Sequence, residues 1–270
     1  MKLLPTFTAA FCIAAASASA QDEVPFITTP DQVTLAMLEL AGVGANDHVI
    51  DLGSGDGRIV ITAAKRFGAS GLGVEIVPDL VRLSRDHARA AGVQDRVEFR
   101  EQDLFATDLG RASVVTMYLL PALNLQLRPR LLALAPGTRI VSHDWDMGDW
   151  TPERTVRVDV PDKAVGRDKF SRVHLWVVPA QVQGLWCAPG ASLQVTQRFQ
   201  TFSATLTTLP GTAPIRVVDG RVTGATLRAH EPAGVTMSLH GRQLQLDNIV
   251  GPGADLVGRR FERTATPACK

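Results

Sequence analysis

Apolar positions along this 270-residue chain follow two different periods, and the change comes near residue 179. Before it, helical and strand patterns alternate. Thr29-Pro30-Asp31-Gln32 reads as a helix start, with Thr29 as cap, Pro30 at the first helical position and Gln32 closing a capping box. Val33, Met37, Leu40 and Ala41 then recur on one face. Residues 48–51 form a short apolar strand that runs into a glycine-rich turn. A helix follows over 59–67, ended by Gly68, and a second strand over 71–76. Residues 78–91 predict a helix with Pro78 near its start and Gly92 past its end. Further strands are expected over 96–100, 113–119 and 138–142, with a helix over 123–134, and two β-rich runs follow over 155–160 and 173–178. Alternation of this kind predicts βαβ units, an α/β domain with a mostly parallel sheet and helices on both faces.

After Pro179 no helical period appears. The runs 193–207, 215–218, 222–227 and 235–239 read as strands, with Asp219-Gly220 and His240-Gly241 where two-residue hairpin turns would fall. The expectation is a small antiparallel all-β domain, either an open sheet or a partly closed barrel.

The first twenty residues carry a different signal. Lys2 is followed by an apolar run over 7–16 and by Ser17-Ala18-Ser19-Ala20, the layout of a secretory leader cleaved after Ala20. The run is too short for a membrane-spanning helix. The expected organisation is therefore a leader at 1–20, an α/β domain at 21–179 and a β-rich domain at 180–270, periplasmic or secreted after cleavage and without a membrane span. Cleavage removes Cys12 and leaves Cys187 and Cys269, which frame the β domain. In an oxidising compartment two such cysteines pair. A bridge there stabilises by about 4–5 kcal/mol in the chain-entropy account.

Charge narrows the partners. Lys and Arg total 28 against 27 Asp and Glu, a net charge of +1. Such a chain has no global field for tracking phosphates, which argues against a nucleic-acid partner. The six histidines are scattered, and no metal-spaced cluster of ligands stands out.

The chemistry concentrates at the first strand–helix turn, Asp51-Leu52-Gly53-Ser54-Gly55-Asp56-Gly57-Arg58. Glycines there permit positive φ and close approach of a ligand, and the helix start offers unpaired N–H groups. The spacing G-x-G-x-G differs from the dinucleotide fingerprint G-x-G-x-x-G. Asp51 and Asp56 are poor company for a pyrophosphate and suit a ligand carrying positive charge. Glu75 ends the second strand, where a carboxylate can accept both hydroxyls of a ribose. Asp103 follows the third strand, placed to accept from an adenine amino group. Three such sites at successive strand ends lie where doubly wound sheets bind their ligands.

These residues make 29–179 resemble the class I S-adenosylmethionine-dependent methyltransferases, through the stretches 49–57, 73–76 and 102–105. The resemblance covers a little over half the chain. It implies a Rossmann-like seven-stranded sheet whose last strand is antiparallel, and S-adenosyl-L-methionine as cofactor. It assigns Asp51, Gly53 and Gly55 to the methionine part, Glu75 to the ribose and Asp103 to the adenine. Thr29 joins them, because the segment before the first helix covers the cofactor in this family. The loop at 51–58 and the stretch 114–124, with Tyr118-Leu119-Leu120-Pro121 and Asn124, further resemble the protein-lysine methyltransferases of the seven-strand class related to the ATP synthase c-subunit lysine enzymes. Met117-Tyr118-Leu119-Leu120 departs from the Asn-Pro-Pro-aromatic motif of enzymes that methylate DNA bases or glutamine amides.

Tyr118, the single tyrosine, and Asp144 are the candidate catalytic residues. Tyr118 ends the fourth strand and would shape the acceptor channel. Asp144, in His143-Asp144-Trp145-Asp146 after the fifth strand, would steer an ammonium; His143 is a candidate base, and Asp144 and Asp146 are candidate ligands of an ammonium or a metal. The expected reaction is methyl transfer to nitrogen, on a protein lysine or a small amine. Two alternatives stay open: an exported S-adenosylmethionine-binding module without turnover, and a small-molecule O-methyltransferase. The β domain is expected to recruit a partner or to mediate self-association.

Overall fold

The computed structural model describes residues 27–208, 214–232, 234–266 and 268–269. The expected leader at 1–20, with its cleavage site, lies outside the described residues. The first half contains α1 (Asp31–Leu40), β1 (His48–Leu52), α2 (Arg58–Phe67), β2 (Ser70–Glu75), α3 (Pro78–Ala91), β3 (Val97–Glu101), β4 (Val114–Met117), α4 (Pro121–Leu132), β5 (Arg139–His143), β6 (Arg154–Asp159) and β7 (Phe170–Val177). The seven strands form one sheet in the order β3-β2-β1-β4-β5-β7-β6, in which β7 alone runs antiparallel to its neighbours. β1 and β4 are buried nearly throughout, as parallel strands covered on both faces are. Val33 and Met37 of α1 are fully buried in the cluster with Val114, Val141 and Val173. Leu127 and Leu131 of α4 pack with Ile50, Met117 and Trp176.

Helix α1 corrects one expectation. Pro30 is the N-cap residue, and no side chain caps the helix. Thr29 is buried, and its hydroxyl bonds His143 across the sheet instead of the helix N–H groups. Gln32 reaches the carbonyl of Asp159 rather than closing a capping box. A tertiary partner has taken the hydroxyl that local capping would have used.

The second half is a closed barrel of eight antiparallel strands, β8 (Gly184–Ala188), β9 (Ala191–Arg198), β10 (Thr201–Thr208), β11 (Pro214–Thr223), β12 (Thr226–Ala229), β13 (Thr236–His240), β14 (Gln243–Asn248) and β15 (Arg260–Thr264). Each strand pairs with the next, and β15 returns to β8 through Glu262, Arg263 and Thr264 against Cys187, Trp186 and Leu185. Closure removes both sheet edges. In β9, Ala191, Leu193 and Val195 alternate inward, joining Leu227, Leu244 and Phe261 in the core. A disulfide joins Cys187 on β8 to Cys269 past β15, beside the seam that closes the barrel.

Two turn assignments move. Asp219-Gly220 lies inside β11, and the chain turns at Gly224-Ala225. At Gly220 an added Cβ would fall 2.2 Å from the carbonyl oxygen of Arg228, so this glycine permits a close strand crossing. The run 193–207 is two strands joined at Phe199-Gln200, not one. The turn after β13 is Gly241-Arg242, one residue beyond the expected pair.

Candidate active site

The carboxyl ends of β1, β2, β3, β4 and β5 bring most of the sequence-derived residues to one edge of the sheet. Gly53, Gly55 and Gly57 take φ of 75°, 53° and 81° between β1 and α2. At Gly57 a Cβ would lie 2.7 Å from the Phe99 ring and 2.8 Å from Ser84, so a side chain there would push the loop off β3 and α3. Ser54, also in the loop, is buried, and its hydroxyl has no hydrogen-bond partner among the described residues.

Glu75 ties the loop to the end of β2. One carboxylate oxygen accepts from the N–H groups of Ile76 and Val77 at 2.8 and 3.0 Å; the other accepts from Gly55 N–H at 3.0 Å. The half-exposed carboxylate keeps lone pairs at the cleft. Asp103 is exposed beyond β3, and one of its oxygens caps a short 3-10 turn, Leu104–Ala106, through Phe105 N–H at 2.8 Å.

Asp51 is buried under the loop and accepts from the Thr116 hydroxyl at 2.7 Å. Burial, more than the charges of Glu75 and Asp56, pushes its carboxyl up to about 7, and the Thr116 bond opposes that rise. Thr116 faces Asp51 in register across β1 and β4. A hydroxyl inside the apolar run Val114-Val115-Thr116-Met117 was the signal that could have marked it in the sequence. Asp56 is not left for a cationic ligand: its oxygens already take the Arg58 guanidinium at 2.6 to 3.2 Å. Arg58 also donates to the Thr29 carbonyl at 2.9 Å, tying the segment before α1 to the glycine loop.

At the end of β4 the half-buried Tyr118 stacks on His143, with ring centroids 3.8 Å apart and planes inclined by 30°. His143 is 1% exposed. Its Nδ1 is 3.2 Å from the Thr29 hydroxyl and its Nε2 2.8 Å from the Ser171 hydroxyl. Burial lowers its pKa to about 4, so the ring is neutral near pH 7. With both ring nitrogens engaged, His143 is a support for Tyr118 and not an open base.

Asp144 takes φ of 61° and turns its carboxylate inward. One oxygen accepts from Lys163 Nζ at 2.6 Å, the other from Arg172 N–H at 2.9 Å. The ammonium expected at Asp144 is therefore supplied by the chain itself, a pairing that sequence separation concealed. Asp146 accepts from Gly148 N–H at 3.0 Å within its own turn. Asn124, buried at the start of α4, donates toward the carbonyls of Trp145 and Asp146 at 3.3 and 3.1 Å, and its side-chain oxygen has no partner among the described residues. Leu120 and Trp145, 49% and 43% exposed, leave apolar side chains beside Tyr118 and Asp144 in the chain.

These features fit a nucleoside-bearing cation: an orphaned hydroxyl and positive-φ glycines in the loop, with Asp51, Glu75 and Asp103 at three successive strand ends. Comparison with known proteins agrees. Residues 51–154 match the ANTKMT methyltransferase domain. A protein-lysine N-methyltransferase of Saccharolobus islandicus is 42% identical over 138 residues, which are 50% of this chain and 86% of that protein. The lysine N-methyltransferase of the ATP synthase c-subunit from mouse is 39% identical over 108 residues, 40% of this chain and 43% of that protein, so less than half of the mouse enzyme is spanned. The crystal structure of an RNA methyltransferase from Salinibacter ruber, in complex with S-adenosyl-L-homocysteine, is 51% identical, with a TM-score of 0.53 over 58% of this chain and 96% of that one. The chain belongs to the class I S-adenosylmethionine-dependent methyltransferases, in the group that includes the ATP synthase c-subunit lysine N-methyltransferases, and is an enzyme that uses S-adenosyl-L-methionine.

Proposed function

We propose that the enzyme transfers a methyl group to the ε-amine of a protein lysine. The observation that carries this reading is the 42% identity to a protein-lysine N-methyltransferase across 86% of that relative, joined to an acceptor side walled by Tyr118. On this reading Gly53, Gly55 and Ser54 receive the methionine part of the cofactor, Asp51 faces its ammonium, Glu75 holds the ribose, Asp103 the adenine, and Thr29 closes the near side. The cofactor supplies an already activated methyl, so alignment of a neutral amine provides most of the acceleration.

Tyr118, held flat by His143, confines the aliphatic stem of the acceptor lysine, and Leu120 and Trp145 receive apolar neighbours of that lysine. His143 and Asp144 are both bonded within the chain, so neither is presented to the acceptor as an open base. The acceptor ammonium therefore loses its proton to solvent before transfer, and kcat/KM rises with pH while the amine is being deprotonated.

Export is part of the proposal. The leader pattern at 1–20 and the Cys187–Cys269 bridge both support an oxidising compartment, periplasmic or secreted. A second reading, an RNA acceptor, draws on the name of the Salinibacter protein; the near-neutral charge of this chain weighs against it. Labelled cofactor incubated with separate protein and RNA fractions of the envelope and cytosol tests both. Methyllysine in a protein hydrolysate is the expected result; label confined to RNA overturns the lysine acceptor and leaves the fold and cofactor untouched.

A further inference from the structure

Among the described residues two non-glycine residues have positive φ, Asp144 at 61° and Phe199 at 51°. An aromatic residue holds that conformation only where its surroundings impose it. The two are linked by one segment of chain. Asp144 begins the segment 144–151 that leaves β5 on the acceptor side of the cleft. Phe199 is the turn between β9 and β10 of the barrel, and it meets that segment near its far end.

The contacts are specific. The Phe199 ring stacks on Trp150, with centroids 6.1 Å apart and planes inclined by 17°. Trp150 is 1% exposed and packs in turn on Trp176 of β7. Next to Phe199, Arg198 pairs with Asp149 at 2.8 Å, and Gln200, itself buried, donates to the Thr151 carbonyl at 2.5 Å. Arg128 of α4 lies 5.5 Å from the Phe199 ring centroid and also pairs with Asp149. Gln197 fixes the turn itself by donating to the carbonyls of Phe199 and Ala180 at 2.8 and 2.9 Å while accepting from Val182 N–H at 2.7 Å. None of these contacts reaches the glycine loop, Glu75 or Asp103.

We infer that the β9–β10 turn, with Phe199 as its central residue, positions the acceptor-side segment 144–151, so that the barrel governs acceptor affinity while leaving cofactor affinity alone. Phe199 acts through Trp150 and is a positioning residue. The inference rests on the reading that acceptors enter beside Tyr118 and Trp145, but not on the acceptor being lysine.

The test compares full-length wild type, Phe199→Ala and Phe199→Tyr, the last keeping the ring. Methyl transfer from labelled cofactor to a whole-cell extract is followed as extract concentration varies, so the readout is independent of acceptor class. Cofactor affinity is measured by calorimetry, and amide hydrogen exchange is read in peptides covering 144–151 and 51–58. Phe199→Ala is expected to raise the half-saturating extract concentration about tenfold or more. Exchange should quicken in 144–151 only, cofactor affinity should stay within about twofold, and Phe199→Tyr should restore wild-type behaviour. Unchanged exchange in 144–151 overturns the inference, as does quickened exchange with unchanged half-saturation. A parallel loss of cofactor affinity also overturns it, since Phe199 would then serve stability at large. If Phe199→Ala does not fold, Phe199→Leu, which lacks the ring stack, is held to the same outcomes. Label found outside lysine, or no transfer by wild type, defeats the lysine reading separately; in the second case the exchange result decides whether the β9–β10 turn positions 144–151, and unchanged exchange there overturns the inference.

Discussion

Tyr118 rests on the face of His143 with ring centroids 3.8 Å apart, and His143 is held from its two nitrogens by Thr29 and Ser171. Thr29 is in turn tied through its carbonyl to Arg58, whose guanidinium grips Asp56 in the glycine loop. The aromatic pair at the ends of β4 and β5, the acceptor wall on the reading proposed above, and the glycine loop thus share one short chain of contacts.

This arrangement predicts that Thr29→Val, which keeps shape but loses the hydroxyl, lowers kcat about tenfold, near 1.4 kcal/mol in the barrier. The Thr29 carbonyl that binds Arg58 is kept, so the segment still covers the cofactor: affinity should change by less than about twofold, and Thr29→Ser should recover activity. Because Tyr118 is the only tyrosine, near-ultraviolet absorbance follows its phenol alone. Burial first, and the Asp144 charge second, raise its pKa above the usual value of about 10. In Thr29→Val and in Asp144→Asn the titration should move down toward that value. An unmoved titration in both variants would show that the stack does not depend on these neighbours.

Asp51 predicts a pH dependence of cofactor binding. Its carboxyl is raised to about 7, mainly by burial, so it is largely protonated at pH 6. A cationic ligand favours the ionised form. Affinity should therefore climb as pH rises toward about 7, by up to about tenfold per unit, and level off above it. Asp51→Asn should remove the slope, and Thr116→Val, which deletes the bond that favours the carboxylate, should move the midpoint upward. For the protein without cofactor the sign is opposite. A raised carboxyl contributes stability that is complete below about pH 4 and is lost as pH climbs through about 7. Calorimetric titrations and thermal melts of both variants across this range check the two signs.

Glu75→Ala should weaken cofactor binding by about 1.5–3 kcal/mol, the range for hydrogen bonds to a charged group. The structure adds a second effect. Removing the carboxylate also frees the Gly55, Ile76 and Val77 N–H groups. Glu75→Gln keeps one acceptor oxygen and should fall between Ala and wild type. Hydrogen exchange at 53–57 should quicken in Glu75→Ala even without cofactor, and equal exchange and affinity in all three proteins would remove both assignments.

What the sequence disclosed and what it withheld divide along a physical line. Glycines at positive φ, acids at strand ends and the alternation of β1 to β5 are local signals, and the loop 53–57, Glu75 and Asp103 stand where those signals put them. The partners of Thr29, Asp56 and Asp144 are tertiary. A threonine before Pro30 looks like a cap whether or not His143, 114 residues away, competes for it. Lys163 meets Asp144 only because β6 and β7 return the chain to the end of β5. The barrel is half-legible. Its alternation shows an antiparallel β domain, but not β8, β14 and β15, and not closure, which depends on β15 meeting β8 although residues 189–259 lie between them.

That same closure yields the last prediction. Cys187 and Cys269 are 82 residues apart in sequence and bridge the two ends of the barrel. A cross-link over such a loop removes unfolded-state entropy worth about 4–5 kcal/mol. The loop encloses nearly the whole barrel and none of the seven-stranded sheet. Cys187→Ser with Cys269→Ser should therefore lower the denaturant midpoint of the barrel far more than that of the sheet. The four tryptophans divide between the halves, with Trp186 in the barrel core and Trp145, Trp150 and Trp176 on the other side, so variants keeping Trp186 alone report the barrel directly. Reducing agent should reproduce the double variant's curve and have no effect on it. Protein recovered from the envelope should also show, by intact mass, the loss of residues 1–20 and the two hydrogens missing from a formed bridge. Two free thiols in such protein, or equal barrel midpoints with and without reductant, would separate the β domain from the oxidising compartment proposed for it.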